Sequence, residues 1–428
     1  MALPAGLTWE VRTTGLAING GAYINLIPGT SVDYSQQNAS QLSITDGACL
    51  LASVTLTSVI GGFTAGMVGN VIQIRAGGVN FVAGFYEIVL INSANSVNLD
   101  RTPVAAGNGT GGLGEVGGAL ISPETFILNG VAGNVCYVKS GTYNFTASRT
   151  YIAVNLTVIG YDASRSVMPT GNNRPLFALG AFFITTAFGN NLKHRNIRFT
   201  GSATQLILAE TKASVFINCK FENTNPAAGT RYCIWADSPA NIPGLTIIDC
   251  EFSGVGASNT IGVRTGFFNS GAGSMFLAFN FFHDLGIGVS MDEIAHVPCF
   301  IKNIFARVSS AGIVLATGAS NDGGPRVYFN SFYASSSYFV QSNRNNNIIY
   351  GNTFDSAAVA ALFDATTGKT WIIDKNDFWN NALSVLGCVL GYDNIGLNPL
   401  WVNPAANDFN FGPGSPNIDQ ALGIRLGV

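Results

Sequence analysis

One short pattern of apolar and polar positions recurs eight times along the chain. Each copy is a short strand-like run that ends in phenylalanine, with a polar residue two or three positions earlier. The copies read "HRNIRF", "FINCKF", "IIDCEF", "LAFNFF", "FIKNIF", "VYFNSF", "IYGNTF" and "IDKNDF". Their phenylalanines, separated by 22, 31, 30, 23, 27, 22 and 24 residues, are Phe199, Phe221, Phe252, Phe282, Phe305, Phe332, Phe354 and Phe378.

A repeat of this length indicates stacked supersecondary units. Most copies are too short for a β-α-β unit with a full helix, which needs about 30 residues. Each is long enough for three short strands and their turns, so that successive copies pair like the rungs of a ladder. The repeat therefore predicts an all-β fold, a right-handed parallel β-helix, over residues 121–395.

The polar residue of the repeat has a structural explanation in this fold. Two positions before the phenylalanine lie Ile197, Cys219 and Cys250 in the first copies, then Asn280, Asn303, Asn330, Asn352 and Asn376. In the first three copies the polar residue comes one position earlier, as Asn196, Asn218 and Asp249. We predict that the asparagines turn corners with unusual backbone angles and bond to one another inside the coils. The phenylalanines should form a second internal stack, since they lie two residues further on.

The chain before residue 120 has a different pattern. Strand-like runs such as "NVIQIRAGG" and "FYEIVLINS" alternate with Gly, Asn and Ser turns, which predicts a small antiparallel barrel or sandwich. The stretch "AAGNGTGGLGEVGG", Ala105 to Gly118, is expected to be a flexible connection. Residues 396–428 read as turns with aromatic anchors that would cover the last coil.

The amino-acid composition limits the classes of partner that such a protein is expected to bind. Charged residues make up 11% of the 428 residues, and hydrophobic residues 47%, against about 25% charged in an ordinary soluble domain. No apolar run is long enough for a membrane span, and no signal peptide is visible at the start. The net charge of −3 disfavours nucleic acid as a partner. Low charge fits an elongated β protein whose surface is largely covered by partners.

Cysteine spacing and short motifs indicate no cofactor and no metal. None of the seven cysteines falls in a C-x-x-C pair, and Cys219 and Cys250 occupy matching positions in consecutive coils. We expect free thiols and synthesis in a reducing cytoplasm. The sequence "GTGGLG" at residues 109–114 matches a dinucleotide fingerprint, but no helical pattern follows it, as that site would require.

The coil pattern, the phrase "VCYVKSGTY" and the ending "NPLWVNP…DFNFGPGSPNID" resemble the pectate-lyase-like right-handed β-helix superfamily. The start "TWEVRTTGLAINGGAY", with an inserted β domain before the first coil, resembles β-helix virion proteins of tailed bacteriophages. The superfamily includes polysaccharide lyases, glycoside hydrolases, phage tailspikes and non-enzymatic virion parts, so the fold does not decide the function. The phage resemblance implies a homotrimer.

Candidate catalytic residues concentrate in one stretch of the repeat. "FFHDLGIGVSMDEIAH" holds Asp284, Asp292 and Glu293 together with two of the three histidines, His283 and His296. A β-helix hydrolase needs two or three carboxylates that converge on one face. A second candidate lies in "ATGASNDGGPR", where Asp322 and Arg326 are expected on a loop beside the neighbouring coil. The alternative for all of them is a solvated polar corner.

Three functions remain open from the sequence. The first is a structural virion protein, such as a capsid decoration, head-fibre or tail component, bound to other virion proteins through residues 1–120. The second is a tailspike-like depolymerase that cleaves host surface polysaccharide with the acids named above. The third is a carbohydrate-binding adhesin without catalysis, for which Trp371 and Trp379 are candidate sugar-stacking residues if they are not buried in the core or cap. The location that the first function implies is the virion, with synthesis in the host cytoplasm.

Overall fold

The computed structural model describes most of the chain. The described residues are 7–13, 23–24, 42–68, 71–75, 77–116, 120–130, 132–151, 153–162, 168–186, 191–210, 213–226, 229–236, 244–255, 259–266, 275–291, 297–315, 323–366 and 368–419. The chain forms two compact units. The first comprises residues 1–145, 153–177 and 195–197, and the second comprises residues 146–152, 178–194 and 198–428. The predicted domain boundaries near residues 120 and 395 stay predictions.

A closed antiparallel β-barrel dominates the first unit. In the order in which they pair, its strands are Leu42–Cys49, Thr55–Thr57, Ser96–Leu99, Gly84–Ser93, Val71–Arg75 and Gly109–Val116. Alternate residues of these strands, such as Ile72, Ile74 and Ile88, point into a buried apolar core. A 3-10 turn at Ala65–Met67 adds Met67 to this core. The predicted small antiparallel domain is therefore present as a barrel.

The described part of the glycine-rich stretch, residues 105–116, is not a flexible connection, so that prediction was wrong there; residues 117 and 118 lie outside the described residues. It contains the last barrel strand, Gly109–Val116, which pairs with two other strands. A Cβ atom at Gly112 would lie 2.7 Å from the ring of Phe81, and one at Gly114 would lie 2.9 Å from Ile72. Glycine is needed here because large neighbours cover the strand closely, not because the backbone must be mobile.

The first unit also contains parallel strands. Leu7–Val11 pairs in parallel with Val135–Lys139, which pairs with Leu156–Tyr161. Tyr23–Ile24 lies antiparallel to Leu7–Val11. The remaining elements are the strand Thr142–Asn144, the strand Leu176–Gly180 (whose last three residues belong to the second unit), the 3-10 turn Gly171–Asn173 and the helix Pro123–Asn129, capped by Ser122.

The second unit is a parallel β-solenoid, as predicted, built from three sheets. The first sheet contains Asn191–Arg195, Ala213–Ile217, Gly244–Ile248, Met275–Ala278, Cys299–Ile301, Arg326–Tyr328, Asn347–Tyr350 and Trp371–Asp374. The second sheet contains Arg198–Gly201, Lys220–Asn223, Glu251–Gly254, Phe281–His283, Ile304–Val308, Ser331–Ser335, Thr353–Ala357 and Asp377–Trp379. The third sheet contains Arg149–Tyr151, Ile184–Thr186, Gln205–Ala209, Arg231–Ala236, Thr260–Thr265, Ile287–Met291, Ala311–Leu315, Tyr338–Ser342, Ala360–Asp364 and Val385–Leu386.

The repeated phenylalanines form one continuous stack inside the second sheet. Neighbouring rings from Phe199 to Phe378 have centroids 4.6–5.0 Å apart and lie nearly parallel. The in-register pairing of the strands, for example Phe305 with Phe332, places each ring over the next. The predicted phenylalanine stack is confirmed.

The predicted asparagine ladder is also confirmed. The Oδ1 atom of Asn303 accepts from the backbone N–H and the Nδ2 of Asn280, and the same two bonds link each following pair. Asn330, Asn352 and Asn376 continue the ladder, and all three are fully buried. The sequence comparison missed a further rung, Asn394, whose Oδ1 accepts from Asn376.

The corner itself is formed by the residue before the rung, which corrects the prediction that the ladder asparagines have the unusual backbone angles. Positive φ angles of 51–69° occur at Phe279, Lys302, Phe329, Gly351 and Lys375. Asn196, Asn218 and Asp249 have the same conformation in the earlier coils, at 52–59°. Asn and Asp tolerate this conformation well. The polar residue of the first three coils therefore makes the corner, while Ile197, Cys219 and Cys250 fill the interior.

The end of the described chain folds back along the second sheet. Its first part covers the last coil, where Ile395 pairs with Asp377. The following hairpin, Trp401–Asn403 with Asp408–Phe411, packs Phe409 against Ile304 and Ala306 on the outer face of that sheet. A 3-10 turn at Pro404–Ala406 closes the hairpin, and the short helix Pro416–Asp419 follows it.

All seven cysteines are free, and Cys219 and Cys250 are buried next to each other, as expected. No helix in the described part of the chain is long and apolar enough to cross a membrane.

Candidate functional site

Three of the four predicted acids lie outside the described residues. These are Asp292, Glu293 and Asp322, and the nearby His296 lies outside as well. The strands that precede them, Ile287–Met291 and Ala311–Leu315, are direct neighbours in the third sheet. Arg326 is not on a loop; it begins a strand of the first sheet and donates to the carbonyl of Asn346. The catalytic assignment of the three acids stays a prediction.

Asp284, the fourth predicted acid, is held in an ion pair. It lies at a corner with φ 54°, and Arg307 occupies the equivalent corner of the next coil with φ 51°. The guanidinium group donates from Nε to Oδ1 at 2.7 Å and from a terminal nitrogen to Oδ2 at 3.0 Å. The ring of His283 lies 2.7 Å from Oδ2. The hydrogen bonds from Arg307 and His283 outweigh partial burial and hold the pKa of Asp284 at about 2.

The same cluster extends to Glu251 in the preceding coil. Burial favours its neutral form, but hydrogen bonds from His283 and Lys220 hold the pKa of Glu251 at about 2. A general acid must keep its proton near the working pH, and neither carboxyl group does so. Ionised carboxylates that are paired with cations indicate a structural cluster. The catalytic assignment of Asp284 stays a prediction, like that of the other three acids.

Two further carboxyl groups were missed by the sequence comparison. Asp355 and Asp377 belong to adjacent strands of the second sheet and are only 5% and 0% exposed. Burial raises the pKa of both groups, that of Asp377 to about 6. Both are covered by the C-terminal segment, since Asp355 accepts from Trp401 and Asp377 accepts from the N–H of Leu397. A substrate cannot reach either group while this segment is in place.

The outer face of the third sheet is the most promising binding surface. Successive strands place one outward residue above the next, and we call this series the outer row. In register order, the outer row consists of Leu208, Trp235, Arg264, Ser290, Val314, Gln341, Phe363 and Leu386. Trp235, Arg264, Gln341 and Phe363 are half-buried, so each is partly open to solvent.

An aromatic–arginine cluster lies at one end of this row. The rings of Tyr232 and Trp235 have centroids 5.2 Å apart and are tilted by 40°. The guanidinium carbon of Arg264 lies 5.3 Å from the centre of the Tyr232 ring, and a terminal nitrogen donates to the Tyr232 hydroxyl at 2.5 Å. These contacts fix the planar guanidinium group beside the exposed part of Trp235.

A second aromatic pair lies further along the same face. Tyr338 and Phe363 stack with centroids 4.5 Å apart and an interplanar angle of 18°, and both rings are half-buried. Phe363 is five strands from Trp235 in the outer row. With strands about 4.8 Å apart, the two clusters are separated by about 24 Å along the sheet.

The predicted sugar-stacking residues Trp371 and Trp379 lie elsewhere. Trp371 begins the last strand of the first sheet, and Trp379 ends the last strand of the second sheet; both are half-buried. Trp235 gave no signal by itself in the sequence, because its significance depends on alignment with the outward residues of neighbouring coils. The described residues contain no group of three or more His, Cys, Asp and Glu residues that could hold a metal ion.

No protein-family model matches the chain, and no curated protein matches it. Solved structures that it resembles include the catalytic domain of a GH87 alpha-1,3-glucanase in complex with nigerose, with a TM-score of 0.27 and 8% identity. Two single-residue variants of that domain with nigerose give TM-scores of 0.32 and 0.30, also at 8% identity. In all three comparisons, the match covers 83% of this chain and 89% of the other. Identity and scores this low say nothing about the activity of this chain.

Proposed function

We propose that the protein binds a linear polysaccharide along the outer row of the third sheet. The observation that carries this proposal is the position of partly exposed aromatic rings at two points on one straight face: Trp235, which packs on the buried Tyr232, and the pair Tyr338 and Phe363. Tyrosine and tryptophan combine a flat apolar surface with a polar edge, which suits the apolar faces and hydroxyl groups of sugar rings. Gln341 and Arg264 add hydrogen-bond donors between the two aromatic pairs.

The shape of the surface favours a polymer over a small molecule. Parallel strands repeat the same outward position in every coil, so the outer row extends along the solenoid as a line rather than enclosing a pocket. A chain of sugars that lies along this line would meet an aromatic group at each end of a segment about 24 Å long. A monosaccharide would contact only one of the two clusters.

The described carboxyl groups favour binding without cleavage. Asp284 and Glu251 are ionised and paired with cations, while Asp355 and Asp377 are covered. A depolymerase would instead have to use Asp292 and Asp322. If cleavage occurs, Asp292→Asn and Asp322→Asn should abolish it and leave binding unchanged.

The test is a panel of bacterial surface polysaccharides incubated with wild-type protein and with Trp235→Ala and Phe363→Ala. We expect one polysaccharide to bind the wild type, and each variant to weaken that binding roughly 10-fold, since a stacked ring contributes about 1–2 kcal/mol. Trp379→Ala is the matched control, because its half-buried ring lies on a different sheet. Reducing ends are measured in the same samples.

Equal loss of binding in the Trp379→Ala control, or unchanged binding in Trp235→Ala, would contradict the assignment to the third sheet. New reducing ends in the wild-type samples would show that the protein is a depolymerase and does not only bind the polysaccharide.

A second candidate function, a structural component of a phage virion, is favoured by the surface of the barrel. Val59 and Ile60 are 86% and 58% exposed at the tip of one loop. The carboxylate of Asp46 accepts from the backbone N–H groups of both residues and from the hydroxyl group of Ser58, which fixes this apolar tip. A rigid exposed apolar tip is typical of an interaction site. We propose that it joins copies of the chain into the homotrimer that the phage resemblance implies.

Light scattering tests this second candidate. The wild type should have the mass of a trimer, and the double variant Val59→Ser, Ile60→Ser should have the mass of a monomer. Val89→Ser, which alters a 46% exposed residue in the barrel strand Gly84–Ser93, is the control and should remain a trimer. A monomeric wild type would exclude this interface.

A further inference from the structure

The segment from Leu397 to Asp419, which we call the C-terminal strap, is fastened to the solenoid by two buried carboxyl groups. Its hairpin covers the outer face of the second sheet, where Phe409 contacts Ile304 and Ala306. At the last coils the strap meets Asp355 and Asp377. The strap therefore depends on acidic side chains that have been removed from water.

Asp377 contacts the strap at two places, Leu397 and Asn417. Its Oδ1 accepts from the N–H of Leu397 at 3.0 Å, and the side chain of Asn417 lies against the carboxyl group. Asn417 donates its own Nδ2 to the hydroxyl group of Thr353 at 3.0 Å. Among the described residues, Oδ2 of Asp377 and Oδ1 of Asn417 are left as buried acceptors without a donor. A proton on Oδ2 of Asp377 would turn that atom into a hydrogen-bond donor, and Oδ1 of Asn417 could then accept from it.

Asp355 is the second buried carboxyl group that contacts the strap. Its Oδ2 accepts from the indole N–H of Trp401 at 2.9 Å, and its Oδ1 accepts from Ser356 at 2.7 Å. Asp355 lies on the neighbouring strand, and its negative charge also raises the pKa of Asp377. On the strap hairpin, Asp408 accepts from Asn410 of the hairpin itself, and Arg307 of the solenoid donates to Asn407 and to the carbonyl of Pro404.

We propose that the strap is a proton-controlled fastening: it is closed while Asp377 carries a proton and loosens when Asp377 ionises. Ionisation would place an uncompensated charge in a site with no exposure and beside a second carboxyl group. Loosening of the strap would uncover the apolar surface formed by Ile304, Ala306 and the half-buried Tyr333.

The direction of the pH dependence follows from burial. Burial raises the pKa of Asp377 from 3.8 to about 6, against the smaller opposing effect of its hydrogen bonds. A carboxyl group whose pKa is raised in the folded state favours the closed strap at acidic pH. That contribution is lost as the pH rises from about 4 through 6, and it stays lost at higher pH. Each unit of difference in pKa corresponds to a tenfold change in the opening equilibrium, so the full effect is on the order of 100-fold.

The test is hydrogen exchange of the strap amides in the full chain between pH 4 and pH 8, corrected for the intrinsic pH dependence of exchange. The amide of Leu397 reports directly, because its acceptor is Asp377. In the wild type, protection should fall on the order of 100-fold across this range. In Asp377→Asn, which carries no charge at this position at any pH, the dependence should shrink to the part that Asp355 contributes. Asp408→Asn is the matched control and should keep the dependence of the wild type.

The wild-type titration decides the question even if Asp377→Asn fails to fold. Constant protection from pH 4 to pH 8 would mean that Asp377 stays ionised with the Asn417 amide turned to donate to it, and the proposal would be overturned. A pH dependence in folded Asp377→Asn as large as that of the wild type would also overturn it.

Discussion

At the scale of single residues, Asn352 shows how a polar side chain can stabilise an apolar interior. Its Nδ2 donates to the carbonyl groups of Val327 and Tyr350 and to Oδ1 of Asn376. Its Oδ1 accepts two bonds from Asn330. Each rung thus satisfies the next one, and a buried amide costs little when its hydrogen bonds are complete.

Asn352→Leu should lower the free energy of unfolding by about 1–3 kcal/mol, because it leaves buried donors of Asn330 and acceptors around the rung without partners. Chemical denaturation monitored by circular dichroism measures the change. Asn394→Leu is the comparison, since Asn394 is half-buried and, among the described residues, ends the ladder. Its effect should be smaller. Equal losses in the two variants, or no loss for Asn352→Leu, would contradict the ladder as a source of stability.

The ladder could be predicted from the sequence because its residues recur at a fixed distance from phenylalanine. Asn394 escaped prediction because Ile395 and Gly396 follow it and no phenylalanine does. The burial of Asp377 could not be predicted, because it comes from Leu397 and Asn417, which no local pattern connects to it. Local patterns identify contacts that repeat, whereas contacts made once by a returning segment leave no trace in them.

At the scale of elements, the strands were predictable and the role of glycine in one of them was not. Alternation in "NVIQIRAGG" gave the barrel strand Val71–Arg75. The strand Gly109–Val116 was missed because its glycines resemble those of a linker. Its conformation depends on Phe81, about 30 residues away, whose ring occupies the space of the missing side chain. The residue type alone cannot distinguish glycine that allows motion from glycine that allows close packing.

The phenylalanine stack should be the main source of cohesion between coils of the second sheet. Phe305 is fully buried between Phe282 and Phe332, with centroids 4.8 and 4.9 Å away. Phe305→Ala should lower the free energy of unfolding by about 3–5 kcal/mol, because it removes a large buried ring and leaves a cavity.

Phe378→Ala provides the comparison for this prediction in thermal and chemical denaturation. Phe378 is 8% exposed and has one stacked neighbour in the described structure, Phe354. Its removal should cost clearly less than that of Phe305. The stack would not be the source of cohesion if Phe378→Ala proved as damaging as Phe305→Ala.

At the scale of the whole molecule, the sequence predicted the architecture better than the surface. A repeat that appears eight times averages out local irregularities, so the solenoid could be predicted although individual strands are short. The outer row of the third sheet has no repeat: Trp235, Arg264 and Phe363 occupy equivalent positions but differ in chemistry. Such a surface becomes visible only when the strand register is known.

In the coils from Asn280 to Asn376, the corner, the rung and the stacked ring occur together once per coil, which gives this part of the solenoid a natural unit of length. Residues 303–329 span one such unit of 27 residues, from one ladder asparagine to the residue before the next. If residues 303–329 were deleted, Lys302 would directly precede Asn330 and would take the place of Phe329. The two residues have nearly the same backbone conformation, with φ 51° and 56°. Gain or loss of whole coils therefore preserves every internal stack. A gene with this repeat can change the length of its product in steps of one coil, and so the span of any polymer that the product binds, without a new core.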